Sequence, residues 1–156
     1  MRIWPRHTSI VHALQGVRVH GFHPELGAVK QVPAADVVVA FDIPHTQETL
    51  MLIFHQVLYC EEVRGGLIPL FQLRSNGIIV NEVPRQHLAD PKEDSHSIVA
   101  DGLIIPLILN GVWSAFQFRK PDLQEFEDID RHYVIAMTAE TDGTHILKFG
   151  TNVRTN

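Results

Sequence analysis

Apolar residues in this chain gather mostly in short runs that alternate or stay continuous, the pattern of strands, and only two stretches space them as a helix does. Residues 10–14 and 17–22 are two such runs joined at Gln15-Gly16. Pro24-Glu25-Leu26-Gly27 marks a turn before Val29, Val32 and the strand Val37-Val38-Val39-Ala40-Phe41. Asp42-Ile43-Pro44-His45 predicts the next turn. Residues 49–59 form a long apolar strand rich in branched side chains, and its continuous pattern predicts cover on both faces, as in a small closed barrel.

Leu67-Ile68-Pro69-Leu70 leads into Phe71-Gln72-Leu73-Arg74-Ser75, whose apolar residues have helical spacing. Asn76-Gly77 supplies a left-handed stop before Ile78-Ile79-Val80 turns to strand. Residues 84–94 are polar and contain Pro84 and Pro91, which cannot donate to a ladder, so they read as a linker. Beyond them, residues 97–100, 103–109 and 112–118 predict a meander whose Asp101-Gly102 and Asn110-Gly111 turns both suit a type I′ hairpin. Trp113 lies at odd intervals from Phe116 and Phe118, so it faces away from them and one set is expected to pack while the other stays partly exposed. Pro121 is placed for the first turn of an amphipathic helix carrying Leu123, Phe126 and Ile129. Residues 133–138 read as a further strand, and 145–149 read as its return after Asp142-Gly143.

With 156 residues and 45% hydrophobic composition, the chain has enough material for one core without staples. Thirteen basic against 18 acidic residues leave a net charge of −5, which argues against nucleic-acid binding. The single cysteine, Cys60, excludes an intramolecular disulfide and reads as a small buried hydrophobe. No apolar run approaches the roughly 20 residues of a membrane span, and the first residues lack a signal-peptide core, so an intracellular, cytoplasmic protein without membrane contact is expected.

Ten histidines raise the question of a metal. Structural zinc usually draws on closely spaced cysteines, and this dispersed set predicts surface or hydrogen-bonded core imidazoles, with His55 as a satisfied polar group inside an apolar strand. No metal and no cofactor are expected. Glu61-Glu62 and Glu125-Phe126-Glu127-Asp128 read as solvated carboxylate runs. Asp42 and Asp101 read as turn formers.

The order strand, leucine-rich helix, Gly, strand across residues 57–82 resembles the C-terminal part of retropepsin-type aspartic proteases in their copia-type retrotransposon version. The resemblance extends from Gly16 to about Thr138, through Val17, Val19, Gly21, Phe22 and Pro24, through VVVAFDIPHT and IVNEVP, and through IPLILNGVWSAFQFRKPDLQEFED, similar to the protease region of algal and oomycete elements. It implies a mainly β fold: an acid-protease barrel with one short helix over 6–83, N-terminally truncated, a linker over 84–95, and a β-meander plus helix over 96–150. It also implies that Gly21, Phe22 and Gly27 belong to the flap that closes over an extended peptide. Peptide hydrolysis in such enzymes needs two aspartates sharing a proton. The family's D-[ST]-G or D-S-H motif has no counterpart here, since no Asp precedes Asp36. The expectation is a retroelement polyprotein fragment, aspartic-protease-like and inactive as it stands, from a truncated or decayed gene.

Asp94-Ser95-His96 spells D-S-H, which makes Asp94 the one catalytic candidate, but it follows a linker instead of a buried strand and reads as a solvated loop. The alternative reading is a non-enzymatic peptide-binding or dimerisation module, with a second copy of the chain or an extended peptide as partner.

Overall fold

In the computed structural model, residues 2–4, 9–13, 17–19, 30–60 and 65–139 are described. Strands predominate. They are β1 (Arg2–Trp4), β2 (Ser9–Ala13), β3 (Val17–Val19), β4 (Lys30–Val32), β5 (Ala34–Asp42), β6 (Thr49–Cys60), β7 (Gly65–Leu67) and β8 (Ile79–Asn81). After a 3-10 turn at Arg85–His87 come β9 (Ser97–Ala100), β10 (Leu103–Pro106), β11 (Ile108–Asn110), β12 (Trp113–Gln117) and β13 (Tyr133–Ala136). Two short helices interrupt them, α1 (Leu70–Ser75) and α2 (Leu123–Glu127).

The twelve residues of β6 are the axis of the molecule. One edge pairs with β5 from Thr49 to Leu58, while the other pairs in parallel with β13 at Leu50–Ile53 and antiparallel with β7 at Leu58–Cys60. Alternation then sorts the side chains of β5 and β6 to two covered faces. Val37, Val39, Phe41, Leu50, Leu52 and Phe54 enter the main core with Ile68, Leu73, Ile98, Ile105, Phe116 and Met137. Val38, Ala40, Met51 and Ile53 pack on the other side with Ile129, Val134 and Phe126. That two-sided cover explains why both strands read as continuous apolar runs.

The expected closed barrel over 6–83 is not found among the described residues. The large sheet runs β11-β12-β1-β7-β6-β5-β2, with β13 attached to β6. Its return from the end of β12 to β5 is a single bridge, in which Arg119 and Ala40 exchange backbone hydrogen bonds of 2.9 Å. Lys120-Pro121 follows at once, and proline has no N–H with which to extend a ladder. The segments over 6–83 and 96–150 both contribute to this sheet, where β6 pairs with β13, and both contribute to the main core. Smaller sheets are β10-β9-β8 and β3-β4.

Local signals were followed in several places. Helix α1 ends where Asn76-Gly77 stands, with Gly77 at φ 77°. The Asp101-Gly102 turn has φ of 49° and 78° with Ala100 paired to Leu103, the two left-handed positions of a type I′ hairpin. At the next turn Asn110 pairs with Trp113, so Gly111 and Val112 are the central residues, and Gly111 alone has positive φ. That is the arrangement of a type II′ turn, in place of the type I′ turn expected on Asn110-Gly111. Phe116 is buried and contacts Phe54 and Phe118 at ring separations of 5.9 and 5.2 Å, while Trp113 is exposed. The expected helix from Pro121 is shorter than its apolar spacing suggests. Asp122 caps it, it stops at Glu127, and Ile129 becomes buried from a 3-10 turn while Leu123 is exposed.

Phe54 is fully buried at the centre of the aromatic contact. Phe54→Ala is expected to lower unfolding free energy by about 3–5 kcal/mol in urea titrations, because the surrounding strands cannot collapse into the space.

Candidate functional site

The ladder between β5 and β6 is interrupted once. Ala35 pairs with Val57 and Val37 with Phe54, so both His55 and Gln56 oppose the single residue Asp36. On the other side of β5, β2 inserts Val11 between the pairs Ile10–Val37 and His12–Asp36. Asp36 therefore lies between two bulges. The extra residue on β6 also resets its alternation, so that Val57 enters the main core in the phase that an uninterrupted strand would have given to Gln56.

A bulge leaves backbone groups without ladder partners, and the side chains here replace them. The Asp36 carboxylate accepts the Gln56 N–H at 3.1 Å, and Gln56 itself has φ 58°. On the opposite edge of β6, beyond the end of β13, Thr138 Oγ1 accepts the His55 N–H at 2.6 Å and donates to the His55 carbonyl at 3.2 Å. His55 Nδ1 stands 3.4 Å from Asp36 Oδ1. Asp36 is 2% exposed and neither it nor His55 lines the cavities of about 780, 330 and 290 Å³. A carboxylate so enclosed cannot hand a proton to a substrate in a groove. It closes the hydrogen bonding of a bulge.

Asp36 and Thr138 were not singled out in the sequence, although a signal was present: Asp36 and His55 each break an otherwise apolar strand. His55 is the buried imidazole within an apolar strand that its neighbours predict, with Asp36 as its polar neighbour.

Arg119 is the second polar centre. Its Nε and Nη2 donate to the two Asp42 carboxylate oxygens at 2.7 and 3.0 Å, and Nη1 and Nη2 donate to Glu125 at 2.6 and 2.5 Å. Thr49 Oγ1 adds a 2.7 Å bond to Asp42, which it faces at the end of the β5–β6 hairpin. Glu125 also receives the Asp122 N–H at 2.9 Å while Asp122 receives that of Glu125 at 2.7 Å, a capping box at the start of α2. Glu125 is thus an anchor, which corrects the solvated role expected for that part of the carboxylate run. Hydrogen bonds from Arg119 hold both Asp42 and Glu125 below their usual values, and the two carboxylates raise Arg119 further above its own.

The remaining candidates lie apart. Asp94 is exposed in the turn before β9, where its backbone carbonyl accepts from Asn81 and Ser97 at 2.8 and 2.5 Å. Asp101 is in its hairpin turn and accepts from the Tyr133 hydroxyl. Gly21, Phe22 and Gly27 lie outside the described residues, as do Glu61, Glu62 and residues 145–149. Among the described residues no three His, Cys, Asp or Glu side chains converge as a metal would require, and no helix is long and apolar enough to cross a membrane.

Asp36→Ala should cost about 1 kcal/mol in chemical denaturation, since it removes the acceptor of the part-buried Gln56 N–H, and Asp36→Asn, which keeps an acceptor, should cost less. Arg119→Met should lower stability at pH 7 by about 1 kcal/mol, the scale of a partly exposed ion pair. Asp42 and Glu125 have ordinary values of 3.8 and 4.5, and a carboxylate depressed in the fold contributes stability that is complete above those values and fades as pH falls through the depressed ones. The gap between wild type and Arg119→Met should therefore narrow below about pH 4 in denaturation at successive pH values.

No family model, no curated protein and no solved structure matches this chain.

Proposed function

We propose that this chain is a retropepsin-like β domain of copia-type retroelement origin that does not hydrolyse peptides through its described carboxylates. What carries the reading is the commitment of Asp36: the one buried carboxylate among the described residues is held against His55 and the bulge N–H, with no second acid as its recorded partner. An aspartic peptidase works by the opposite arrangement, two carboxylates sharing a proton beside a water. The retropepsin part of the proposal is supported by the order β6, β7, α1, left-handed Gly77, β8, which follows the strand–helix–strand sequence on which the resemblance rests. The purified chain is expected to show no pepstatin-sensitive cleavage of a mixed peptide library between pH 4 and 7, an assay range spanning the usual optimum of shared-proton carboxylates. Pepstatin-sensitive cleavage lost in Asp36→Asn or Asp94→Asn would overturn the proposal.

A second reading, association with another copy or an extended peptide, is favoured by the β11–β12 hairpin. β11 ends the large sheet, and Ile108, Leu109, Val112 at 89% and Trp113 at 50% exposure place apolar surface along that edge. Edge strands of this kind are ordinarily protected by charge or proline, and this one carries neither. On this reading, sedimentation should detect a concentration-dependent dimer, and the double substitution Leu109→Lys with Trp113→Ser should return it to monomer. A wild-type monomer throughout would exclude self-association.

A further inference from the structure

His96 occupies a pivot. Residues 103–110 form two consecutive strands that belong to different sheets, β10 pairing with β9 in the small sheet and β11 with β12 in the large one. Between them, Leu107 N–H donates to the His96 carbonyl at 2.8 Å, and the His96 ring reaches across to β12, with Nε2 at 3.1 Å from Ser114 Oγ. The ring is buried at 7% exposure and the backbone is left-handed at φ 55°, a conformation uncommon for a residue with a side chain. One residue thus ties the small sheet to the β11–β12 hairpin through both its backbone and its side chain.

Burial without a counter-charge favours the neutral imidazole over the charged one. Ser114 meets the ring at Nε2, and no carboxylate pairs with the ring among the described residues. No compensating charge faces the ring from the strands around it, since β8, β9, β10, β11 and β12 contain no ionisable residue. The nearest carboxylates along the chain, Asp94, Glu93 and Asp101, are exposed, and Glu82, just beyond β8, lines the neighbouring cavity of about 290 Å³ with Ser114. Leu107, Leu109, Val112 and Trp113 are among the other residues that line that cavity.

We infer that His96 is an acid-sensitive latch: neutral, it holds the β11–β12 hairpin against the small sheet, and on protonation it leaves its pocket and frees the hairpin. Burial already lowers its affinity for a proton below the ordinary value of 6.5. The sign follows. The closed form takes up its proton at lower pH than an open or unfolded form does, so closure is fully favoured above about 6.5 and loses ground as pH falls below it. Relaxation of the left-handed backbone adds to the release. The inference is independent of the retroelement reading and needs no substrate.

The test is NMR on the full chain from pH 8 to 5, following the His96 ring and the protection of backbone amides corrected for intrinsic exchange. The expected result is a ring midpoint below 6.5 with parallel loss of protection at Leu107 and Ser114, while amides of Met51, Leu52 and Ile53 stay protected. In His96→Gln, which keeps a hydrogen-bonding group without titrating there, the pH-dependent loss at Leu107 and Ser114 should disappear. A ring midpoint at or above 6.5, unchanged protection at Leu107 and Ser114 through the titration, or loss of protection in β6 at the same midpoint would each overturn the latch. The wild-type titration decides these outcomes by itself should the variant not fold.

Discussion

A strand paired along both edges and covered on both faces has nowhere to leave a polar group, and β6 is under that constraint through most of its length. Its apolar side chains divide between two clusters, its backbone divides among β5, β13 and β7, and the change from β13 to β7 on one edge falls near His55. The bulge stands at that change. Adding one residue there lets Val57 join the same core as Phe54 despite the interruption, and it creates the unpaired backbone groups that Asp36 and Thr138 satisfy. The acid, the hydroxyl and the imidazole follow from the geometry of one strand that has to serve three neighbours.

Arg119 solves a related problem at the other end of the β5–β6 hairpin. Its backbone touches β5 at Ala40 for a single bridge before Pro121 forbids further pairing, and its side chain then binds Asp42 at the hairpin end and Glu125 in the first turn of α2. A guanidinium can do this because its planar fork presents donors to two carboxylates at once, which a lysine ammonium at the same place would not match. The sheet therefore stops short of closing by hydrogen-bond ladder, and a polar clamp links the end of β12, the β5–β6 hairpin and α2. Helix α2 is too short to hold its place by propensity. Its capping box and the Glu125 contact with Arg119 anchor it, while Phe126 packs against the second core face.

What could be read along the chain is what short-range chemistry decides. The stop at Gly77, the Asp101-Gly102 hairpin, the two-sided burial of β5 and β6, and the opposite facing of Trp113 and Phe116 are all set within a few residues. The turn at Gly111 lies one residue later than Asn110-Gly111 suggests, because Asn-Gly is compatible with a type I′ turn and only the register of β11 on β12 shows which pair is central. The parallel pairings β1 with β12 and β6 with β13 join residues more than 80 positions apart, and no local pattern announces them. The same distance hid the candidate site. Thr138 meets His55 across 83 residues and Arg119 meets Asp42 across 77, so each residue alone looked like an ordinary polar position.

Structural and catalytic carboxylates ask for opposite surroundings, and this decides how Asp36 should be weighed. A catalytic aspartate must meet water and substrate, so burial against a fixed backbone donor works against it. Asp36 has such a donor in the Gln56 N–H, has His55 beside it, and is almost fully buried. Moving it to a catalytic setting would break its bond from the Gln56 N–H and disturb the bulge that carries Val57 into the core. As it is held in the fold, Asp36 serves the integrity of β6.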